Sequence, residues 1–347
     1  MAIEYLGHKS LQCEEIVDIA QRAGRSLRPT VADVFCGTGS VSAAFSRRGY
    51  NVIANDVLSV CVAFAQALLL NASSPPFRRL AREIPLPRRR AVYAAVIEHL
   101  NALPTASGFF VREYSPFGPQ RRHYFTVENA GRIDAIRTTL AEWKPLLTTA
   151  EYALLRVDLI RAANSVANTA GTYGCYLKRF KARALQPLRL SCSPFEGRTT
   201  CDHQVRQTDA NRLVSTVDAD IVYADPPYTK RQYAAYYHVL ETLAIGDEPS
   251  LIGSTGLRPW RERASSYCYR RKAASSLAEL VNNLRCKLFL LSYSEDGHIS
   301  HAEIMSILRP RGRVTVRERL QRRYKSSGLP HRGRSVVERL YTLKLGQ

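Results

Sequence analysis

The sequence is short of acid. Asp and Glu total 30 against 50 Lys and Arg in 347 residues, a formal net charge of +20. Such an excess draws polyanions to the surface and makes binding fall steeply with salt, so the composition points to nucleic acid. Long apolar runs are also missing. None approaches the ~20 residues that cross a bilayer, and Met1 is not followed by a charged-then-apolar leader, so a cytoplasmic, nucleoid-associated protein with no membrane contact is expected. The longest apolar stretch, Val57 to Leu70, is interrupted by Ser59 and Gln66 and reads as a buried helix. Eight cysteines occur, none in a Cys-x-x-Cys pair, which leaves zinc ribbons and thioredoxin-type chemistry without support. Cys192, Cys201 and His203 have no fourth ligand at finger spacing, and reduced thiols account for them better. No repeat at solenoid periods is present.

What is there begins with Thr30-Val31-Ala32-Asp33-Val34-Phe35-Cys36, a strand, followed by the turn Gly37-Thr38-Gly39-Ser40. A helix through Val41, Ala44 and Phe45 ends at Gly49, and Asn51-Val52-Ile53-Ala54 forms a second strand closed by Asn55-Asp56. The glycines let the backbone pass close to a ligand, and the acid can accept both hydroxyls of a ribose. Ser42 stands where the dinucleotide fingerprint has its third glycine. A nucleoside without pyrophosphate therefore fits better, and S-adenosylmethionine answers that description. Ahead of this unit, Ser10 is placed to cap a helix that Gly24 stops, and Lys9 has the wrong sign for that helix start, which hints at an anionic partner.

From about residue 72 the character changes. Prolines punctuate a segment carrying Arg88, Arg89 and Arg90, and further on Arg121 and Arg122 interleave with Phe109, Phe110, Tyr114, Phe117, Tyr124 and Phe125. Basic groups neutralise phosphates and aromatic rings stack on or wedge between bases; the same residues also suit a small core. A glycine-bearing loop, 168–177, leads to Lys178 and Arg179. Asp209 precedes a short helix. Then Ile221-Val222-Tyr223-Ala224 runs into Asp225-Pro226-Pro227-Tyr228, an apolar strand ended by two residues that cannot donate to a ladder. In open α/β sheets ligands sit just past a strand's carboxyl end. Alone, the stretch is equally a strand closed by a proline turn. The run 232–243 predicts one helix, with His238 and Glu241 as a surface pair. Residues 246–275 are irregular and basic, a mobile substrate-facing segment. Two strands, 313–325 and 336–345, predict a terminal hairpin.

In the order Tyr5-Leu6-Gly7-His8-Lys9, Phe35-Cys36-Gly37-Thr38-Gly39-Ser40, Asn55-Asp56, Asp209 and Asp225-Pro226-Pro227-Tyr228, the chain resembles the Dam-like, class-α N(6)-adenine-specific DNA methyltransferases. The resemblance implies a Rossmann-like α/β sheet with helices on both faces. Its catalytic domain would be split into 1–71 and 206–347 by a mainly helical target-recognition insertion, 72–205. It implies transfer of a methyl group from S-adenosylmethionine to the exocyclic amine of adenine in double-stranded DNA, with no metal. Tyr5, Lys9, Phe35, Gly37, Thr38, Gly39, Ser40, Asp56 and Asp209 would hold the cofactor, Lys9 pairing with its carboxylate. Asp56 would take the ribose and Asp209 the cofactor's adenine amine. Asp225 and the Pro226 carbonyl would accept from the target amine beside Pro227, and Tyr228 would stack on the flipped base. Arg88, Arg89, Arg90, Arg121, Arg122, Lys178 and Arg179 are the expected DNA contacts. A monomer is expected, with a restriction endonuclease as candidate partner. The rival readings are a DNA-binding relative without activity, and methylation of the cytosine amine or of RNA adenine.

Overall fold

The computed structural model describes residues 12–23, 29–86, 91–195, 201–322 and 335–346. Tyr5, Lys9, Ser10, Gly24 and Arg88 to Arg90 lie outside them. In chain order come α1 (Cys13–Ala23), β1 (Thr30–Asp33), α2 (Ser40–Arg47), β2 (Asn51–Asn55) and α3 (Ser59–Leu69). Helices alone follow: α4 (Leu80–Glu83), α5 (Val92–Ala102), α6 (Phe109–Tyr114), α7 (Val127–Trp143) and α8 (Thr149–Ser165). Then come β3 (Gln204–Arg206), α9 (Ala210–Thr216), β4 (Ile221–Ala224), α10 (Tyr233–Tyr236) and α11 (His238–Ile245). The chain closes with α12 (Arg270–Asn282), β5 (Leu288–Ser294), α13 (His301–Leu308), β6 (Gly312–Arg322) and β7 (Ser335–Leu345). No helix among the described residues is long and apolar enough to cross a membrane.

The described residues fall into two compact units. One lies within Gly7–Ala65, Thr199–Tyr233 and Arg263–Gln347, and the other within Gln66–Arg198 and Ala234–Glu262. The first contains a seven-stranded sheet in the order β3-β2-β1-β4-β5-β7-β6. β1 to β5 run parallel, and β7 joins antiparallel to both β5 and β6. Every residue of β4 and β5 is buried, as expected of parallel strands covered on both faces, whose sequences read as continuous apolar runs. On one face Ala32, Val222 and Phe289 join Leu213 of α9, Leu277 and Leu280 of α12 and Ile304 of α13 in one core. α1 packs against α2 and β5. From β1 the chain goes to β2 on one side, and β4 lies on the other. That reversal of strand order is where α/β sheets open a ligand crevice.

The second unit is helical, and its polar groups are buried in pairs. Asp158 accepts from the Tyr93 hydroxyl at 2.5 Å and from Ser193 Oγ at 2.6 Å. Thr148 and Glu151 close a capping box on α8. Phe109, Phe110, Tyr114, Tyr124 and Phe125 are at most 3% exposed, so five of the six aromatics expected at bases form core instead.

The single helix expected over 232–243 is broken at Tyr237 (φ −117°, ψ 22°). The Tyr236 carbonyl accepts from the Tyr173 backbone N–H at 2.8 Å, a tertiary bond in place of a helical one. His238 and Glu241 are 0% and 1% exposed, so both are buried rather than forming the expected surface pair. Arg258, placed by sequence in a mobile segment, is likewise buried, forked onto Asp247 at 2.9 and 3.1 Å.

His238 Nε2 lies 2.9 Å from the Tyr173 carbonyl, so this nitrogen carries the proton and donates. Burial drives the imidazole pKa down to about 4. The folded state thus holds His238 neutral while the unfolded chain binds a proton below about 6.5. The resulting stability is present above that value and lost as pH falls from 6.5 towards 4, in all about 3 kcal/mol. Denaturant titrations at pH 7 and 4.5 should therefore show a smaller loss for His238→Gln, which stays neutral, than for the parent. Asp158, raised to about 7 by burial, works in the opposite direction in both proteins and cancels in the comparison.

Candidate active site

β1 ends at Asp33 and the next turn carries the glycines. Gly37 (φ 52°) and Gly39 (φ 79°) sit in left-handed conformations that a side chain disfavours, and Gly39 caps α2. The turn is tied to the end of β2. Asp56 Oδ2 accepts from the Gly37 N–H at 3.1 Å and its Oδ1 from Leu58 N–H at 2.9 Å. Asn55, fully buried, donates to the carbonyls of Val34 and Thr208 at 3.1 Å each and accepts from Thr208 N–H. One amide therefore joins the ends of β1 and β2 to the segment after β3. Thr38 and Ser40 hydroxyls lie 3.4 Å apart in the turn.

Ser42, in place of a third glycine, donates to Asp33 Oδ2 at 2.6 Å. Asp33 Oδ1 is buried and makes no hydrogen bond among the described residues. Burial, with the charges of Asp225 and Asp56 added, pushes the Asp33 carboxyl up to about 7 against the Ser42 bond. Burial likewise raises Asp56. Acidic groups gathered here, with Asp33 raised by the charges of both Asp56 and Asp225, disfavour a pyrophosphate and suit a cationic nucleoside, so the residues present fit S-adenosylmethionine. Sequence reading passed over Asp33; its signal was an acid inside an otherwise apolar strand.

Phe35 meets Tyr267 edge-on, ring centroids 5.3 Å apart, and the Tyr267 hydroxyl donates to Asn211 Oδ1. Asp209 begins α9, its Oδ1 accepting from Asn211 and Arg212 N–H groups. Burial, then the nearby charge of Asp209, raises the Tyr267 phenol far above its ordinary pKa.

Beside β1, β4 delivers Asp225-Pro226-Pro227-Tyr228 at the same end of the sheet; the Val34 N–H bonds the Tyr223 carbonyl. A second turn, after β5, fixes this loop. The His298 N–H donates to the Tyr228 carbonyl at 2.9 Å. The His298 ring reaches the Cys268 carbonyl at 3.2 Å, and Cys268 Sγ donates to the Arg231 carbonyl. Tyr228 lies edge-on to Tyr293, centroids 6.0 Å apart. Burial, with the Glu338 charge behind it, raises the Tyr228 phenol, which stays neutral. A Cβ at Gly297 would sit 2.3 Å from Tyr293 Cε1. Gly297→Ala should therefore displace Tyr293 and, through it, Tyr228, with a loss of stability read by urea midpoints. If the effect travels that way, adding Gly297→Ala to Tyr293→Leu costs nothing further; additive losses refute the route.

Among the other expected residues, Arg121, Lys178 and Arg179 are exposed. Arg122 is not available to phosphate. It is 4% exposed, its guanidinium bonded to Glu113 at 2.8 Å and to the carbonyls of Glu113, Gly253 and Ser254. A guanidinium with so many internal acceptors is a structural clamp. His203, considered with two cysteines, bonds Ser46 and the Val52 N–H instead. Among the described residues no group of His, Cys, Asp or Glu is arranged to hold a metal ion.

The family model for D12 class N6 adenine-specific DNA methyltransferases matches residues 5–307. The chain is 32% identical over 333 residues to type II methyltransferase M.NlaIII of Neisseria lactamica, covering 94% of each. To type II methyltransferase M.FokI of Planomicrobium okeanokoites it is 35% identical over 318 residues, 89% of this chain and 47% of that one. To modification methylase StsI of Streptococcus sanguinis it is 32% identical, covering 99% of this chain and 52% of that one. The chain thus spans about half the length of the last two relatives. The strand-end carboxylates, the glycine turn and these matches agree, and the chain belongs to the D12 class N6 adenine-specific DNA methyltransferase family.

Proposed function

We propose that the chain transfers the methyl group of S-adenosylmethionine to the exocyclic N6 amine of adenine within a specific sequence of double-stranded DNA. The observation that supports this most is the adjacency of β1 and β4, which puts the glycine turn and Asp225 at neighbouring strand ends. When bound, the cofactor supplies an electrophilic methyl on a positively charged sulfur. Phe35, Gly37, Thr38, Gly39 and Ser40 border it, Asp56 takes its ribose and Asp209 its adenine. Tyr5 and Lys9 complete the set.

Adenine's amine is a weak nucleophile because its lone pair is delocalised into the ring. The Asp225 carboxylate and the Pro226 carbonyl accept its two N–H bonds, draw the nitrogen towards tetrahedral geometry and localise the pair. As the N–C bond forms the methyl–sulfur bond breaks, its electron pair staying on the now neutral sulfur, and the amine's surplus proton leaves along its hydrogen bonds. Pro226 and Pro227 keep the loop from rejoining the sheet ladder. Tyr228 stacks on the base, which must leave the duplex to be reached. Residues 72–205 serve target recognition, with Arg121, Lys178 and Arg179 on phosphates. The chain works as a monomer on nucleoid DNA, and its type II relatives support a modification role beside a restriction endonuclease.

The test is transfer of labelled methyl from S-adenosylmethionine to duplex DNA, followed by digestion to nucleosides. Label on N6 of deoxyadenosine is expected; label confined to deoxycytidine or to RNA refutes the reading. Methylation-sensitive sequencing of DNA from cells expressing the chain then gives the recognition sequence.

A further inference from the structure

Of the six aromatics interleaved with arginines in the helical unit, Phe117 alone is turned outward, 72% exposed where the other five are at most 3%. A lone exposed ring needs no explanation by itself. This one stands on a turn that is locked from several sides. Ser115, fully buried, donates to the Val111 carbonyl at 2.6 Å, and its Oγ receives the Phe117 N–H at 3.2 Å. Gly118 lies so close to α6 that a Cβ would come within 1.6 Å of the Arg112 carbonyl oxygen. Pro116 and Pro119 flank the pair and fix two more backbone torsions. The Arg121 N–H returns to the Gly118 carbonyl at 3.0 Å, with Arg121 itself at φ 45°, a left-handed conformation uncommon for a side-chain-bearing residue. The next residue is the buried clamp Arg122. The Arg121 side chain is exposed and makes no hydrogen bond or ion pair among the described residues.

A preorganised exposed ring on a turn that also carries an exposed guanidinium four residues on fits a partner offering a π-face next to a phosphate. In nucleic acid these recur together, and a rigid ring loses little entropy on binding. We propose that Phe117 is a stacking residue of the recognition unit, its ring entering the DNA base stack while Arg121 engages a neighbouring phosphate. The proposal rests on the DNA-methyltransferase reading above and names a contact that reading leaves open.

The probe is a duplex oligonucleotide containing the recognition sequence found by methylation-sensitive sequencing. Phe117→Ala, at an exposed position, should unfold like the parent and bind cofactor like the parent. Its Kd for the duplex should rise about 10- to 100-fold, one lost stacking contact. Phe117→Trp should restore affinity to within about 3-fold, and its added emission should be quenched as duplex saturates, against the parent's Trp143 and Trp260 background. Arg121→Gln should flatten the dependence of log K on log salt by about 0.9. If the parent methylates DNA but Phe117→Ala binds and turns over normally, or the added emission of Phe117→Trp ignores duplex, the proposal is wrong. A variant that loses only self-association also overturns it, in favour of a protein interface. Failure of the parent to methylate DNA at all refutes the underlying reading instead.

Discussion

Asp225→Ala is expected to lower single-turnover methyl transfer by at least about 10³-fold while leaving cofactor and DNA affinity within a few-fold. Removing one preorganised polar partner of a transition state costs on the order of 10²–10³, and on the proposed reading this partner also helps localise the amine's lone pair. Asp225→Asn should fare little better, because its amide can turn a donor towards an amine that needs an acceptor. The same substitutions remove a like charge from the neighbourhood of Asp33, so the Asp33 carboxyl should titrate lower in both variants, a change visible by NMR. Transfer within tenfold of the parent in Asp225→Ala would sink the assignment of this loop as the reacting centre.

The second large effect is on stability. Gly108 stands at the N-cap of α6 and has no side chain to cap it, so the cap comes from α7. Asp134, 1% exposed, accepts from the N–H groups of Phe110 at 2.9 Å, Val111 at 2.9 Å and Gly108 at 3.1 Å. Burial raises its pKa although these bonds and Arg137 favour the anion. Asp134→Ala strands three donors at once. Each buried unsatisfied donor costs roughly 1–3 kcal/mol, so a loss of about 4 kcal/mol is expected after partial relaxation. Asp134→Asn keeps one acceptor and should lose about half as much. Urea midpoints read the difference. Because α6 runs straight into the turn that carries Phe117, the alanine variant should also bind DNA more weakly before it unfolds globally.

The two strand-end loops were legible in the sequence because their signals are local. An apolar run ending in Asp-Pro-Pro-Tyr and a strand followed by Gly-Thr-Gly can be read without knowing what lies across the sheet, and both stand where sequence placed them. β3 escaped notice since Gln204-Val205-Arg206 is short, polar and at an edge. The break at Tyr237 was invisible because its cause is the Tyr173 amide, 64 positions upstream. Arg122 and Phe117 show the same limit from opposite sides. Five positions apart, with nothing in composition to separate them, one is buried by carbonyls from 253 and 254 and the other is exposed by a glycine that fits only one way. Asp33 and Gly297 act through Ser42 and Tyr293, partners that spacing alone does not reveal.

The order of the sheet has a consequence for how such proteins diversify. β2 and β3 are parallel neighbours and need a crossover in any case; here that crossover runs from Asp56 to His203, and a second, between β4 and β5, carries 234–262. Closure entropy grows only with the logarithm of length, so lengthening an existing crossover is thermodynamically mild. On the proposed reading, recognition segments can thus be exchanged or enlarged between β2 and β3 without moving a strand, while the carboxylate after β4 stays where it is. If the proposed function holds, heredity can rewrite which sequence is marked and keep the chemistry that marks it.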